Sequence, residues 1–325
     1  MKPIVCLPFL FAIHTAGVAQ TLPSVYYYHA KRADSLLSKK KYEAAAISFS
    51  DAFKTIGWKG LPEDRYKAAG AWALSCHPDS AIFNLERLAF KATYFDLTPV
   101  LNDPVFVSLK GHRKWTSLLN KIKNNSDSLL ALEAKLDKVL IRKLDSLTGE
   151  DQKWRQLSKR FRNHSIPEDS ITQETISKNM ILTDSLNSFE VRKIFYCYGF
   201  PNYDLVGPTG SGNYWLLVQH QDRNVAFQDS VLAAMKVEVD RGKSSSGNYA
   251  YLLDRVKINT GQRQIYGTQM QLNKDGSSYE PIPVIEPEKL NERRKSVGLN
   301  SIEKYIETMN SLYFGTLSGA GQPEK

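Results

Sequence analysis

The stretch KKYEAAAISFSDAFKTIG, residues Lys40 to Gly57, decides the class of fold to expect. Ala45, Phe49 and Ala52 recur at steps of four and three, which places them on one face of a helix. Thirty-six residues further on, Ala81, Leu85 and Leu88 repeat that spacing, and Ala33 is echoed by Ala69 at the same offset. Small residues let two helices approach closely while larger ones fill the groove between them. A repeated pair of helices is therefore predicted over residues 26 to 90.

The first unit resembles the second helix of a tetratricopeptide repeat, with Tyr42, Ala45, Phe49 and Ala52 on that family's Tyr, Ala, Phe and Ala spacing. The second is a looser match, with Trp72 on its first helix. The following segment LNDPVFVSLKGHRKWTSLLNKI, Leu101 to Ile122, resembles the closing unit of exported bacterial repeat proteins. Asp103, Leu109, Trp115 and Leu118 would cover the last apolar face, with His112, Arg113 and Lys114 on the solvated side. The resemblance implies a peptide or protein partner; two repeats make only a small groove, so a packing platform for the next domain stands beside it.

Toward the N-terminus, MKPIVCLPFLFAIHTAGVAQ sets one lysine before an apolar run from Ile4 to Ile13 and small residues at Ala16, Gly17 and Ala19. That is the layout of a secretory signal peptide cleaved near Gln20, and it predicts a periplasmic or secreted protein. The run is too short to span a bilayer, which takes about 20 apolar residues, and no later stretch is long and apolar enough. Beyond it only Cys76 and Cys197 remain, in different predicted domains, and both read as buried unpaired thiols. The net charge of +9 is concentrated: residues 21 to 125 hold sixteen Lys and Arg against nine Asp and Glu. No nucleic-acid-binding signature accompanies it, so a solvated lysine-rich surface is the simpler reading.

Toward the C-terminus, Leu129, Leu132, Leu136, Leu140, Leu144 and Leu147 predict one amphipathic helix over 126 to 147, ended by Gly149. Helices are also expected over Glu150 to Arg162, Thr172 to Tyr198, Gln228 to Arg241 and Gly247 to Val256. GPTGSGNYWLLVQHQD, Gly207 to Asp222, lacks the Lys-Ser/Thr of a phosphate loop. Its glycines make a tight entry into a helix or a strand that delivers Gln219 and His220. DRVKINTGQRQIYGTQ, Asp254 to Gln269, joins a helix end to a β-hairpin that turns at Asp275-Gly276 and returns through Tyr279 to Val284. Helices from Pro287 to Lys295 and through Ile302 to Met309 follow, with a loose tail after Gly315.

Several short pieces in this half, in order and spacing, resemble the domain-of-unknown-function 6624 family. They are Asp151-Gln152 with Arg155, Asp184 with Asn187, Gly199-Phe200-Pro201, Val206-Gly207, Trp215 and Val218-Gln219-His220. The series continues with Asp254-Arg255-Val256, Tyr266-Gly267-Thr268-Gln269, and Arg293-Arg294 before Gly298-Leu299. The resemblance implies an α-rich domain and no established reaction.

His220 is one of two histidines after residue 125, the other being His164. A histidine can serve as general acid or base when a partner fixes its tautomer, and Asp254 is the candidate partner. Arg255, Arg293 and Arg294 suit a bidentate anion, Gln152, Gln219 and Gln269 suit neutral polar ligands, and Tyr266 joins them by its place in the same stretch. Read structurally, the same residues would only fasten turns and helix ends. No Ser-His-Asp order and no cofactor fingerprint is present. Metal spacing is absent as well, since His220 with Asp222 and Asp229 lacks a second histidine or a thiolate cluster.

Asp-Ser-apolar occurs seven times, at Ser35, Ser80, Ser128, Ser146, Ser170, Ser185 and Ser230, and resembles the O-glycosylation acceptor of one bacterial phylum. Helix starts offer the competing explanation.

The expected architecture is mainly α. A signal peptide (1–20) precedes a tetratricopeptide-like repeat domain (21–125), an α-rich α+β domain with a small hairpin (126–315) and a loose tail (316–325). Three functions remain open. One is a module binding a polar or anionic small molecule or glycan. The others are a hydrolase or transferase acting on an envelope glycan or peptide, and an envelope scaffold that holds a protein partner through its repeats.

Overall fold

The computed structural model describes residues 22–162 and 171–314. The signal segment, His164, Ser170 and the C-terminal tail lie outside the described residues. The chain divides into two compact units, with the division between Lys135 and Leu136.

The N-terminal unit is all helical: α1 Ser24–Ser38, α2 Tyr42–Lys54, α3 Pro62–Leu74, α4 Pro78–Lys91, α5 Leu97–Asn102, a 3₁₀ turn Pro104–Leu109, and α6 Trp115–Glu133. Pro62 and Pro78 open their helices where a missing N–H costs nothing. α1 packs on α2, α2 on α3 and α3 on α4. All eight residues of the thirty-six-residue echo are at most 1 % exposed, so the echo is the packing seam of two helical pairs. Asp103 caps the 3₁₀ turn through the Val105 amide, 3.1 Å away. Leu109, Trp115 and Leu118 are buried with Ile122 against α4 residues. Arg113 and Lys114 are exposed, whereas His112 is half-buried and meets Asp79 at 3.1 Å.

The C-terminal unit comprises α7 Lys138–Arg162, α8 Gln173–Tyr198, α9 Tyr203–Gln219, α10 Val225–Asp240 and α11 Ser246–Asn259. After these come strands β1 Met270–Leu272 and β2 Tyr279–Pro281, a 3₁₀ turn Pro287–Lys289, α12 Leu290–Ser296 and α13 Ile302–Phe314. The strands form an antiparallel hairpin with Met270 opposite Pro281 and Leu272 opposite Tyr279. At the centre lies α9, whose Tyr214 to Val218 are all buried, with Leu217 and Val218 fully so. α9 packs against α7, α8, α10 and α11. The run is thus a helix, and its apolar character on all sides matches its burial among four neighbours.

The glycines before it serve a sharp turn: Gly207 takes φ 69°, which disfavours residues with a Cβ, and Pro208 restarts the helix. A Cβ on Gly207 would also lie 3.3 Å from Leu136.

Two expectations are corrected. The leucine series over 126 to 147 is not one helix, because α6 ends at Glu133 and α7 begins at Lys138. Asp137 starts the second helix by accepting from the Val139 and Leu140 amides at 3.0 and 2.8 Å, which outweighs leucine periodicity. Gly149 then sits inside α7, where tertiary packing overrides its poor propensity. Secondly, Cys76 and Cys197 are free but exposed rather than buried. Of the seven Asp-Ser-apolar serines, the six described ones are all within helices, and Ser128, Ser185 and Ser230 back-bond to the carbonyl four residues earlier. Among the described residues no helix is long and apolar enough to cross a membrane.

Candidate functional site

The C-terminal end of α9 places His220 against α7 and α8. Its ring is 5 % exposed, and Nδ1 lies 2.9 Å from the Asp151 carboxylate. Asp151 is fully buried on α7 and also accepts from Arg155 Nη1 at 2.8 Å and Gln152 Nε2 at 2.7 Å. The spacing of Asp151 and Arg155, one helical turn apart, puts both on the same face. From there Arg155 reaches across to α8 and grips Asp184 with Nη2 at 2.8 and 3.1 Å. The result is a chain of charges, His220–Asp151–Arg155–Asp184, drawn from three helices.

Beyond His220 the chain turns through Gln221 to Asn224 into α10. Asp222 in that turn is held bidentately by Arg255 of α11, at 2.6 and 2.5 Å, and accepts from Asn259 at 3.0 Å. Gln228, completely buried on α10, donates to the Val218 carbonyl at 3.0 Å and so fixes the end of α9. Between α8 and this turn opens a cleft of about 370 Å³, lined by Asp184, Ser185, Ser188, His220 and residues 221–224 among others. On its other side His220 borders a cavity of about 20 Å³, with Trp215, Tyr251, Arg255 and Gln269 among its walls. That volume suits a single water.

Burial lowers the pKa of His220, aided by Arg155 and Arg255 and opposed by Asp151. The ring is therefore neutral at pH 7, with the Nδ1 proton assigned by its bond to Asp151 and Nε2 left as the basic nitrogen. Burial works to raise Asp151, but His220, Arg155 and Gln152 outweigh it and hold the carboxyl below its ordinary value. Asp184 moves the other way: burial raises it more than Arg155 lowers it. Asp222 stays low against burial because Arg255, Asn259 and Gln228 donate to it.

Asp151, Asp184 and His220 each offer one ligand atom within 4.8 Å of the others. The donor set fits a metal ion poorly. Arg155 already donates to both carboxylates, so a cation would have to displace a guanidinium.

The residues singled out from sequence divide into two groups. His220 and Arg255 belong to the network just described, and Gln152 supports it from beneath through Asp151. Gln219 and Gln269 wall the small cavity instead; turned for hydrogen bonding, the Gln219 carbonyl accepts from Trp215 Nε1 and the Leu252 amide.

Asp254 is not the partner of His220. It accepts from the amides of Ile265, Tyr266 and Thr268 and from the Thr268 hydroxyl, at 2.7 to 3.1 Å. Burial raises its pKa against those donors. Arg293 and Arg294 are likewise spent on structure. Arg293 donates to the Ile265 and Ile285 carbonyls, and Arg294 to those of Asn300, Tyr266 and Gly267. Tyr266 is half-buried in this same clasp. Arg255 pairs with Asp222.

Residues that the sequence reading did not assign to the site are Asp151, Arg155, Asp184 and Asp222. The first three stand only among the pieces of the family resemblance, and the i, i+4 spacing of Asp151 and Arg155 is the available signal. Gln264 was missed altogether. Completely buried, it exchanges bonds with the Gln269 backbone and ties the start of the hairpin together.

The sequence model of a family described as "Family of unknown function (DUF6624)" matches residues 139–316. That is more than half of the chain, and the chain belongs to this family. No significantly similar curated protein and no significantly similar solved structure was found.

Proposed function

We propose that the C-terminal unit of this family member binds a small hydroxyl- or amide-bearing molecule in the cleft beside His220, and that His220 acts on it as a general base. One observation carries the reading: a neutral histidine borders a 370 Å³ cleft while a buried carboxylate holds its Nδ1 at 2.9 Å. Such a partner fixes the tautomer and leaves Nε2 as the proton acceptor. The reaction class this supports is hydrolysis or group transfer on a glycan or peptide. Among the described residues no serine or cysteine is hydrogen-bonded to His220, so the nucleophile in this reading is water or a ligand hydroxyl.

The order of charge, apolar run and small residues in 1–20 supports export, which would make envelope glycans and peptides the available ligands. The paired helices of the N-terminal unit support a role as a platform, with the tetratricopeptide-like spacing around Tyr42 favouring a peptide or protein partner.

The test is a calorimetric and turnover screen of the full chain against a library of envelope saccharides and short peptides, with His220→Ala and His220→Gln alongside. Loss of turnover with binding retained supports the base; loss of both supports a binding pocket alone. Binding that survives both substitutions but disappears on deleting residues 26–120 would transfer the function to the helical platform.

A further inference from the structure

We propose that Arg223 is the specificity-determining residue of this cleft, and that it reads the carboxylate of an acidic sugar. The inference rests on the polar-ligand reading above and names the class of ligand.

The argument is a balance of donors and charges around the cleft. Two carboxylates line it, Asp184 and Asp222. Each is neutralised from behind by a two-bond arginine grip, Arg155 on one and Arg255 on the other. Their side chains nevertheless keep 29 and 30 % exposure. An ionised carboxylate only accepts hydrogen bonds, so the complementary groups on a ligand are donors that carry no charge, as the hydroxyls of a sugar are. Ser185 and Ser188 on α8 add hydroxyls of their own to the same wall.

Arg223 is the exception in this balance. It lines the cleft, is exposed, and has no hydrogen-bond or ion-pair partner among the described residues. Its backbone, by contrast, is fastened on both sides. Asp222 is held by Arg255 and Asn259, Asn224 donates to Ser188 at 3.3 Å, and the Asn224 amide donates to the Gln221 carbonyl at 2.8 Å. A guanidinium on an anchored turn loses less freedom on binding than one on a mobile loop. Its fork geometry matches a carboxylate bidentately. Arg223 is the one Lys or Arg among the lining residues, so the second negative charge of a phosphate would find no partner there and the carboxylate is the better fit. Hydroxyls for the two aspartates and one carboxylate for Arg223 together describe a uronic acid, and the cleft volume lies within the range of small-molecule sites.

The test measures binding of D-glucuronate, D-glucose 6-phosphate and D-glucose to the full chain by calorimetry, with the His220 ring signal followed by NMR. Glucuronate is expected to bind at least tenfold more tightly than either comparator. Arg223→Gln should bring it down to the glucose level, and Arg223→Lys should retain part of the preference. Arg223 is exposed, and an unchanged melting temperature verifies that each variant is folded. Equal affinity for glucuronate and glucose, with the His220 signal shifting for both, overturns the acidic-sugar assignment and leaves the polar-ligand reading standing. A phosphate preference, an Arg223→Gln variant that binds like wild type, or no binding of any of the three sugars also overturns it. The polar-ligand reading itself fails only on the separate library screen.

Discussion

Truncating Asp151 should destabilise the C-terminal unit more than any exposed substitution in it, because three buried donors converge on that carboxylate. His220 Nδ1, Arg155 Nη1 and Gln152 Nε2 lie 2.9, 2.8 and 2.7 Å away, and the Asp151 side chain is 1 % exposed. Asp151→Ala takes the carboxylate from all three, leaving Arg155 Nη1 only the carbonyl of residue 151 at 3.2 Å. A buried donor left without its partner costs about 1–3 kcal/mol. Arg155 keeps Asp184, so its share falls at the low end, and the sum is about 3–7 kcal/mol, whose lower part coincides with the roughly 3–5 kcal/mol for breaking a buried ion pair. Asp151→Asn is the control that separates charge from shape. Its carbonyl oxygen can keep the His220 bond as a neutral one and the Arg155 bond with the guanidinium's charge alone, and the Gln152 amide can turn to meet the new NH₂. What disappears is the charge assistance of two bonds, about 1 kcal/mol each. Urea unfolding is followed by hydrogen exchange of peptides covering Tyr203–Gln219, which report on one unit only. An Asp151→Ala loss below about 1 kcal/mol, or an asparagine as damaging as the alanine, would refute the claim that this carboxylate organises the site.

Two further outcomes follow from the same network. His220 has a folded pKa below its unfolded value near 6.5, so the folded protein resists taking up the proton that the unfolded chain accepts. Its contribution to stability is complete above about pH 6.5 and is lost as the pH falls below that value toward the folded pKa. The slope of stability against pH in that window should flatten in His220→Gln, and an unchanged slope would contradict the assignment of a buried neutral ring. Secondly, Zn²⁺ or Mn²⁺ should leave the melting temperature of the C-terminal unit unchanged, since Arg155 occupies the position between Asp151 and Asp184. Saturable stabilisation by either ion, abolished in Asp184→Asn, would show that the guanidinium yields to a metal.

How much of this was legible in the sequence depended on the range of the interaction. Helix pairs of the N-terminal unit were visible because their seam is built from residues three and four apart, and the echo from Ala33 to Leu88 repeats that seam. The hairpin was visible through Asp275-Gly276, a local turn signal. The break between α6 and α7 was not, because leucines continue at helical spacing straight through it. A single aspartate at 137 decides the matter by bonding two amides, and periodicity gives such a cap no weight. α9 was ambiguous for a related reason: a short run buried on all sides has no polar face from which to read a period.

The site separates along the same line. His220 was conspicuous by chemistry alone, but its partner lies 69 residues away on α7, and nothing local distinguishes Asp151 from Asp254 as a histidine's carboxylate. The two aspartates are both buried, and what differs is what fills their acceptor positions. Asp254 takes three backbone amides of a segment within fourteen residues of it, so it organises a loop and has no lone pair to lend. Asp151 takes only side chains from its own helix and from His220, so its charge acts on a titrating ring. Arg294 and Arg155 divide in the same way, the first spent on carbonyls and the second on carboxylates. The stretch Asp254 to Gln269 is therefore the scaffold that sets Arg255 and Gln269 beside His220, while the charged network around that ring is assembled from α7, α8 and the turn after α9.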